Sequence, residues 1–323
     1  MKLALTYSYL NADLKVIEQE LQETLRAEHP VLAEASSQLL HAGGKRLRPV
    51  FVLLAAQFGD YDLEKVKTAA ITLELIHMAS LVHDDVIDES ELRRGKPTVK
   101  ANWDNRTAMY TGDYIFARAL ECLSTLNTPT AHQLLSKTMV ELTLGEMKQI
   151  EDKYRLNQSF KDYLRRIRRK TALLIAASCQ LGAIAVDAPE FVQRKLYLYG
   201  YYVGISYQII DDILDFTASS KQLGKPAGSD LIQGQITLPT LIALQDQKVS
   251  HQLKKIFSVT KEPTSIEMEP IIELIKHSDA IERSYQISEA YLQKAFSTLK
   301  ALPDVKAKQT FEQIAIYIGK RKT

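Results

Sequence analysis

The chain has 323 residues, enough for one large domain or two ordinary ones, and 46% of them are apolar, which excludes global disorder. Its formal net charge is only +2, from 41 Lys and Arg against 39 Asp and Glu. That balance gives no reason to expect nucleic acid or an anionic membrane surface as a partner, although a local basic cluster could still hold a negative ligand.

The 13 glycines and 10 prolines fall at a few places, and the stretches between them read with helical period. In residues 12–26, Leu14, Ile17, Leu21 and Leu25 mark one face. A second helix near 30–41 stops at Gly43-Gly44, and Pro49 suits the first turn of the run 50–58. From 63 to about 92 the pattern is almost wholly apolar until carboxylates appear, which predicts a buried central helix. Residues 93–103 hold Gly95 and Pro97 and read as loop. Helices are predicted at about 105–126, 130–153, 160–186 and 189–217. Residues 218–235 carry three glycines with Pro226 and read as a long loop, and the C-terminal third returns to helices separated by Pro263 and Pro303. No segment has the period of a strand, and no linker or fixed repeat is visible. A single all-α domain is the simplest expectation.

Cys122 and Cys179 sit in neither a metal-ligand spacing nor a CxxC pair and read as reduced core thiols. The first ten residues lack the pattern of a secretion signal. The longest uncharged runs, 171–186 and 196–210, fall short of the ~20 apolar residues a membrane span needs. A soluble cytoplasmic protein is expected.

Two clusters carry the chemistry. Asp84-Asp85-Val86-Ile87-Asp88 and Asp211-Asp212-Ile213-Leu214-Asp215 share the spacing DDxxD, and each ends an apolar helical stretch. Residues four apart share a helix face, so Asp84 and Asp88 point one way, as do Asp211 and Asp215. Such repulsion costs a few tenths of a kcal/mol on an exposed helix and more beside an apolar face. A cation must offset it. A few hard carboxylate oxygens, with room left for phosphate, suit Mg²⁺. The complementary half is basic: Gly44-Lys45-Arg46-Leu47-Arg48-Pro49 at a helix start, Arg93-Arg94-Gly95-Lys96 just after the first cluster, then Lys170 and Lys225. Arg binds phosphate through a fork and Lys as a point charge. Arg165, Arg166, Arg168 and Arg169 read as surface. His77 lies seven residues before Asp84, on the same face of the helix, and is either a phosphate ligand or a satisfied core histidine.

The stretch from Ile76 to His83 followed by DDVID, and Tyr207-Gln208-Ile209-Ile210 followed by DDILD, resemble the two aspartate-rich motifs of the trans-isoprenyl diphosphate synthase family. The resemblance runs from about 39 to 322 and includes the C-terminal Tyr317-Ile318-Gly319-Lys320-Arg321-Lys322. It is nearest to the large components of two-part long-chain synthases. It implies an all-α isoprenoid synthase bundle, one polyprenyl synthetase domain over 1–323, with the motifs facing each other across the mouth of a deep central cavity.

By resemblance, Asp84, Asp88 and Asp211 bind Mg²⁺, three ions in all, with Asp85, Asp212 and Asp215 supporting them. Lys45, Arg48, His77 and Arg94 would hold isopentenyl diphosphate. Arg93, Lys170 and Lys225 would hold the allylic diphosphate, farnesyl diphosphate being the expected primer, with Thr171 and Gln208 near the reacting carbon. The loop 218–235 and the basic C-terminus are candidate lids. Ala79 and Ser80, small residues four to five positions before Asp84 where short-chain relatives carry aromatics, would let a growing chain pass toward Ile76 and Leu73. A long product, for a menaquinone side chain, follows. One departure is Gln235, where many short-chain members have Lys. The resemblance also implies a small unlike regulatory subunit, or else a homodimer. Two alternatives stand beside this reading: a terpene cyclase of the same fold, and a non-catalytic partner subunit.

Overall fold

A computed structural model describes residues 3–218, 227–260 and 262–321. The described chain is helical except for one two-stranded hairpin, as the periodicity predicts. Its residues group into two compact units: one drawn from Met1–Ser136, Ala177–Tyr197 and Leu302–Phe311, the other from Lys137–Ala176, Leu198–Ala301 and Glu312–Thr323.

The first unit forms around one long helix. Label the helices Asn11–Thr24, Pro30–His41, Leu47–Ala56, Leu63–Ile87 and Asn105–Ser124 as α1 to α5. Helix α4 starts where the Asp62 carboxylate accepts from the Glu64 N–H, and it buries residues around its whole circumference, among them Val66, Ala70, Leu73, Ile76 and Ala79. A helix apolar all round belongs in a core, and α1, α3 and α5 pack against it. Phe51 of α3 stacks on Phe311 with ring centroids 6.1 Å apart.

Between α4 and α5 the chain does more than the loop predicted for 93–103. Leu92–Arg93 pairs antiparallel with Lys96–Pro97, and the two turn residues have positive φ, 55° at Arg94 and 76° at Gly95. Two consecutive positive φ values define the tight turn that matches strand twist. The hairpin is anchored to α2, where Lys96 Nζ donates to the His41 carbonyl and Gln38 Nε2 to the Pro97 carbonyl.

In the second unit, the predicted helix 160–186 is interrupted. Helix α6 (Phe160–Ile167) runs into one π-helical turn, Arg168–Ala172, before α7 (Leu173–Ala185). The start is fixed by a reciprocal cap between Ser159 and Asp162. Helix α8 (Glu190–Thr217) carries the second aspartate motif at its end. Ile205, Ile209, Ile213 and Phe216 of α8 are buried with Tyr163, Ile167, Leu238, Leu253 and Met268. A Cβ at Gly204 would fall 2.6 Å from Ala172 Cα, so glycine lets α8 approach the π turn closely. Arg166, expected on the surface, is buried: its guanidinium donates to Gln158 Oε1 and the Ile236 carbonyl, both at 2.6 Å. It pins the segment after the long loop and has no part in phosphate binding. Among the described residues, no helix is long and apolar enough to cross a membrane.

Candidate active site

In the first unit the aspartates end α4. The Asp88 N–H donates to the Asp84 carbonyl at 2.8 Å, so the turn between them is helical and the two side chains share a face. Both are partly buried. Asp85 turns elsewhere. It is 3% exposed and receives Arg93 as a fork, Nε at 2.9 Å and Nη2 at 2.7 Å to Oδ1. Burial pushes the Asp85 carboxyl up, and Arg93 opposes that shift. Arg93, expected on the allylic diphosphate, is thus also the counter-ion of Asp85.

The basic run separates by role. Arg46, at a left-handed φ of 45°, closes on Glu18 with two 2.9 Å bonds, on Glu74 at 3.1 Å and on the Leu40 carbonyl at 2.9 Å. That arginine builds the fold. Its neighbour Arg48 lies near enough to His77 for its charge to act on the imidazole. Arg94 lies against this segment, since a Cβ at Gly44 would come within 2.6 Å of its Nη1. Only glycine leaves room for that guanidinium.

Burial, then the charges of Arg48, Arg94, Arg93 and Arg46, hold the His77 pKa well below its usual value. His77 is therefore neutral at pH 7 and offers one N–H donor among three or four cations. In the unfolded chain it titrates near ~6.5, so below that pH the unfolded state binds a proton that the folded state refuses. Stability should fall on acidification by up to ~1.4 kcal/mol per pH unit from this group. Urea titrations between pH 5 and pH 7 should show a shallower slope for His77→Gln than for wild type; equal slopes would contradict the assignment.

In the second unit each aspartate has its own environment. Asp211 pairs with Arg321 at 2.8 Å, and the guanidinium lies 5.0 Å from the Tyr207 ring centroid. Asp212 is 3% exposed and accepts from Tyr163 Oη at 2.7 Å and Gln208 Nε2 at 2.8 Å. Burial pushes its pKa up to about 7, with Asp230 adding to the rise and Gln208 and Tyr163 opposing it. Asp215 accepts from Ser229 Oγ at 2.9 Å and from the Asp230 N–H at 3.2 Å, which caps the short helix Ser229–Ile232. Thr171 Oγ1 donates to Gln208 Oε1 at 2.6 Å, and Lys170 Nζ lies 3.2 Å from Glu146. Lys225 lies outside the described residues.

Two site residues escaped the sequence reading as individuals. Tyr163 lies two residues before Arg165 and belongs to no motif of its own. Arg321 was seen only as part of a basic tail. The helical spacing of Tyr163, Ile167 and Thr171 is the one signal that could have drawn attention to the first.

The donor set accepts a hard divalent ion. Among the described residues no group of three or more His, Cys, Asp or Glu side chains is arranged to hold a metal. Each motif instead offers one or two carboxylates outside the buried pairs made by Asp85 and Asp212. Mg²⁺ is commonly held by that few protein oxygens, with water and substrate phosphate completing its octahedron.

A helical chain with two DDxxD motifs, Arg93 paired with the first and Arg321 with the second, fits the class of enzymes that handle prenyl diphosphates. The polyprenyl synthetase family model matches residues 29–275. The chain belongs to that family and is a trans-prenyltransferase. It is 60% identical to heptaprenyl diphosphate synthase component 2 of Bacillus subtilis (strain 168), over 100% of this chain and 92% of that one. The same component from Geobacillus stearothermophilus is 59% identical, over 99% of each chain. Among solved structures, heptaprenyl diphosphate synthase from Staphylococcus aureus superposes with a TM-score of 0.92 at 43% identity, over 97% of this chain and 99% of that one.

Proposed function

We propose that the chain is the catalytic component of a long-chain synthase, adding isopentenyl diphosphate repeatedly to an allylic diphosphate with Mg²⁺ as cofactor, three ions per site. The observation that carries this reading is the pair of DDxxD motifs, in which Asp85 and Asp212 are buried in side-chain pairs while Asp84, Asp88 and Asp211 are only partly buried. The 60% identity to a heptaprenyl synthase component supports a product of that class. We assign Asp84, Asp88 and Asp211 as the metal ligands and the whole chain, 1–323, as one functional domain.

Bound Mg²⁺ would neutralise the diphosphate and make it a leaving group. The protein's own groups do the rest. Lys45, Arg48, Arg94 and neutral His77 hold the isopentenyl diphosphate by its phosphates, with His77 as a donor that adds no charge. Arg93, Lys170 and Lys225 bind the allylic diphosphate and stabilise charge as it departs. Lys170 and Thr171 both lie on the π turn, a kind of bulge that recurs at functional sites. As the allylic C–O bond breaks and diphosphate leaves, the alkene of isopentenyl diphosphate attacks the allylic carbon, and a proton passes to the released diphosphate to restore a double bond. Water must be kept out, or the cation is hydrolysed.

Product length follows from α4. Ala79 is fully buried and Ser80 is partly buried, with its hydroxyl donating to the His77 carbonyl at 2.8 Å. Ile76 and Leu73 continue the buried face, ~12–16 Å from Asp84 by helix rise. Neither Ala79 nor Ser80 has the bulk to stop a chain. Ala79→Phe should shift the product from about 30–40 carbons to about 20–25, as one ring blocks the path within two turns of the metal ligands. An unchanged product from a folded variant would remove the length assignment. Wild-type enzyme given allylic diphosphate alone should release no hydrocarbon; release would favour a cyclase.

The relatives' designation as a component supports an obligatory small partner. Adding that partner should raise incorporation by the chain; full activity of the isolated chain would favour a homodimer instead. We place the enzyme in the cytoplasm and its product in the side chain of menaquinone.

A further inference from the structure

We propose that the Tyr163 hydroxyl is a positioning group for the condensation, fixing Asp212 and, through Gln208, setting the direction of the Thr171 hydroxyl. The inference rests on the roles proposed above for Asp211, Lys170 and Thr171.

Four side chains form one continuous line. Tyr163 is completely buried on α6 and donates to Asp212 Oδ2 at 2.7 Å. Gln208, one turn earlier on α8, donates to Asp212 Oδ1 at 2.8 Å. Thr171, on the π turn, donates to Gln208 Oε1 at 2.6 Å. The direction of the line is fixed by chemistry. Both oxygens of Asp212 accept, Oδ2 from Tyr163 Oη and Oδ1 from Gln208 Nε2. Gln208 spends its amide hydrogens on Asp212 and turns its carbonyl to Thr171. Thr171 must then give its proton to Gln208, and its oxygen presents lone pairs on the other side. An oxygen so oriented stabilises a developing allylic cation; a hydroxyl with its proton outward would oppose it.

The ring and the hydroxyl of Tyr163 have separable jobs. The ring stacks near Phe160, centroids 6.4 Å apart, and lies 5.8 Å from the Arg166 guanidinium carbon. Those contacts are packing and survive in phenylalanine. The hydroxyl touches Asp212, whose chain neighbour Asp211 is a proposed metal ligand, and Gly204 brings the π turn close against the same helix. Loss of the hydroxyl therefore loosens the second motif and the allylic side together while leaving the first unit's residues alone.

The test is kinetics on Tyr163→Phe, Asp212→Asn and the double variant, with the partner component present, and Mn²⁺ binding in inorganic diphosphate followed by electron paramagnetic resonance. Asp212→Asn keeps the volume but offers an amide donor, which lets Gln208 flip and reverses the Thr171 proton. Tyr163→Phe is expected to lower kcat about tenfold, raise KM for the allylic substrate several-fold, weaken Mn²⁺ binding several-fold, and leave KM for isopentenyl diphosphate within about twofold. Asp212→Asn should cost at least as much, and the double variant no more than the worse single one, because one line of bonds is broken only once. A folded Tyr163→Phe with native kcat, KM values and Mn²⁺ affinity would overturn the proposal, as would additive losses in the double variant. Wild-type protein inactive even with its partner would remove the underlying reading and this inference with it. If Tyr163→Phe does not fold, an Asp212→Asn variant with native kcat is enough to overturn the relay.

Discussion

Asp84→Ala and Asp211→Ala should each lower kcat by about 10³-fold or more, the equivalent of ~4 kcal/mol in the transition state. Each removes a hard oxygen from a motif that has few to give. Asp85 is committed to Arg93, and Asp212 to Tyr163 and Gln208, so neither can step in without breaking a buried pair. The fold should tolerate both changes. Asp84 is in the last turn of α4, where a lost carboxylate relieves repulsion from Asp88. Asp211 gives up its pair with Arg321, whose two side chains are 34% and 18% exposed, so solvent screens part of the lost attraction. Circular dichroism should therefore be native while turnover nearly vanishes. Rates within tenfold of wild type would contradict the metal assignment.

Arg46→Ala should destabilise the protein by about 3–5 kcal/mol. Arg46 is the hub of a buried network: it holds Glu18 through two bonds, Glu74 through one and the Leu40 carbonyl through another. Glu74 lies on α4 at 3% exposure, and its second oxygen already lacks a hydrogen-bond partner. Removing the cation strands that charge inside the first unit, a far larger cost than losing the attraction alone. Urea denaturation measures it. Adding Glu74→Gln should recover part of the loss, because a neutral amide can stay buried without a counter-ion. A fall below 1 kcal/mol, or no recovery, would show that Arg46 is a solvated surface charge.

These two arginine and aspartate cases show what could be read from residues alone. The helices were legible because each carries an apolar face at helical spacing, and α4 because its apolar residues cover all sides. Both aspartate motifs were legible as paired patterns. What local sequence cannot encode is which member of a basic run turns inward. Arg46 and Arg166 have the same neighbours as Lys45 and Arg165, yet a glutamate from another helix captures the first and a backbone carbonyl 70 residues away captures the second. The π turn was invisible for a similar reason. One extra residue in a helical turn leaves no mark in the composition, and only the backbone of Arg168–Ala172 reveals it. The hairpin at Arg94-Gly95 was read as loop because two-residue strands are too short to show alternation.

The most direct test is to size the product made by the purified chain, with the partner subunit proposed above, Mg²⁺, farnesyl diphosphate and labelled isopentenyl diphosphate. An all-trans prenyl diphosphate of about 30–40 carbons is the expected result. No incorporation under those conditions, or a product that stops at the first addition, would contradict the assignment as a long-chain synthase.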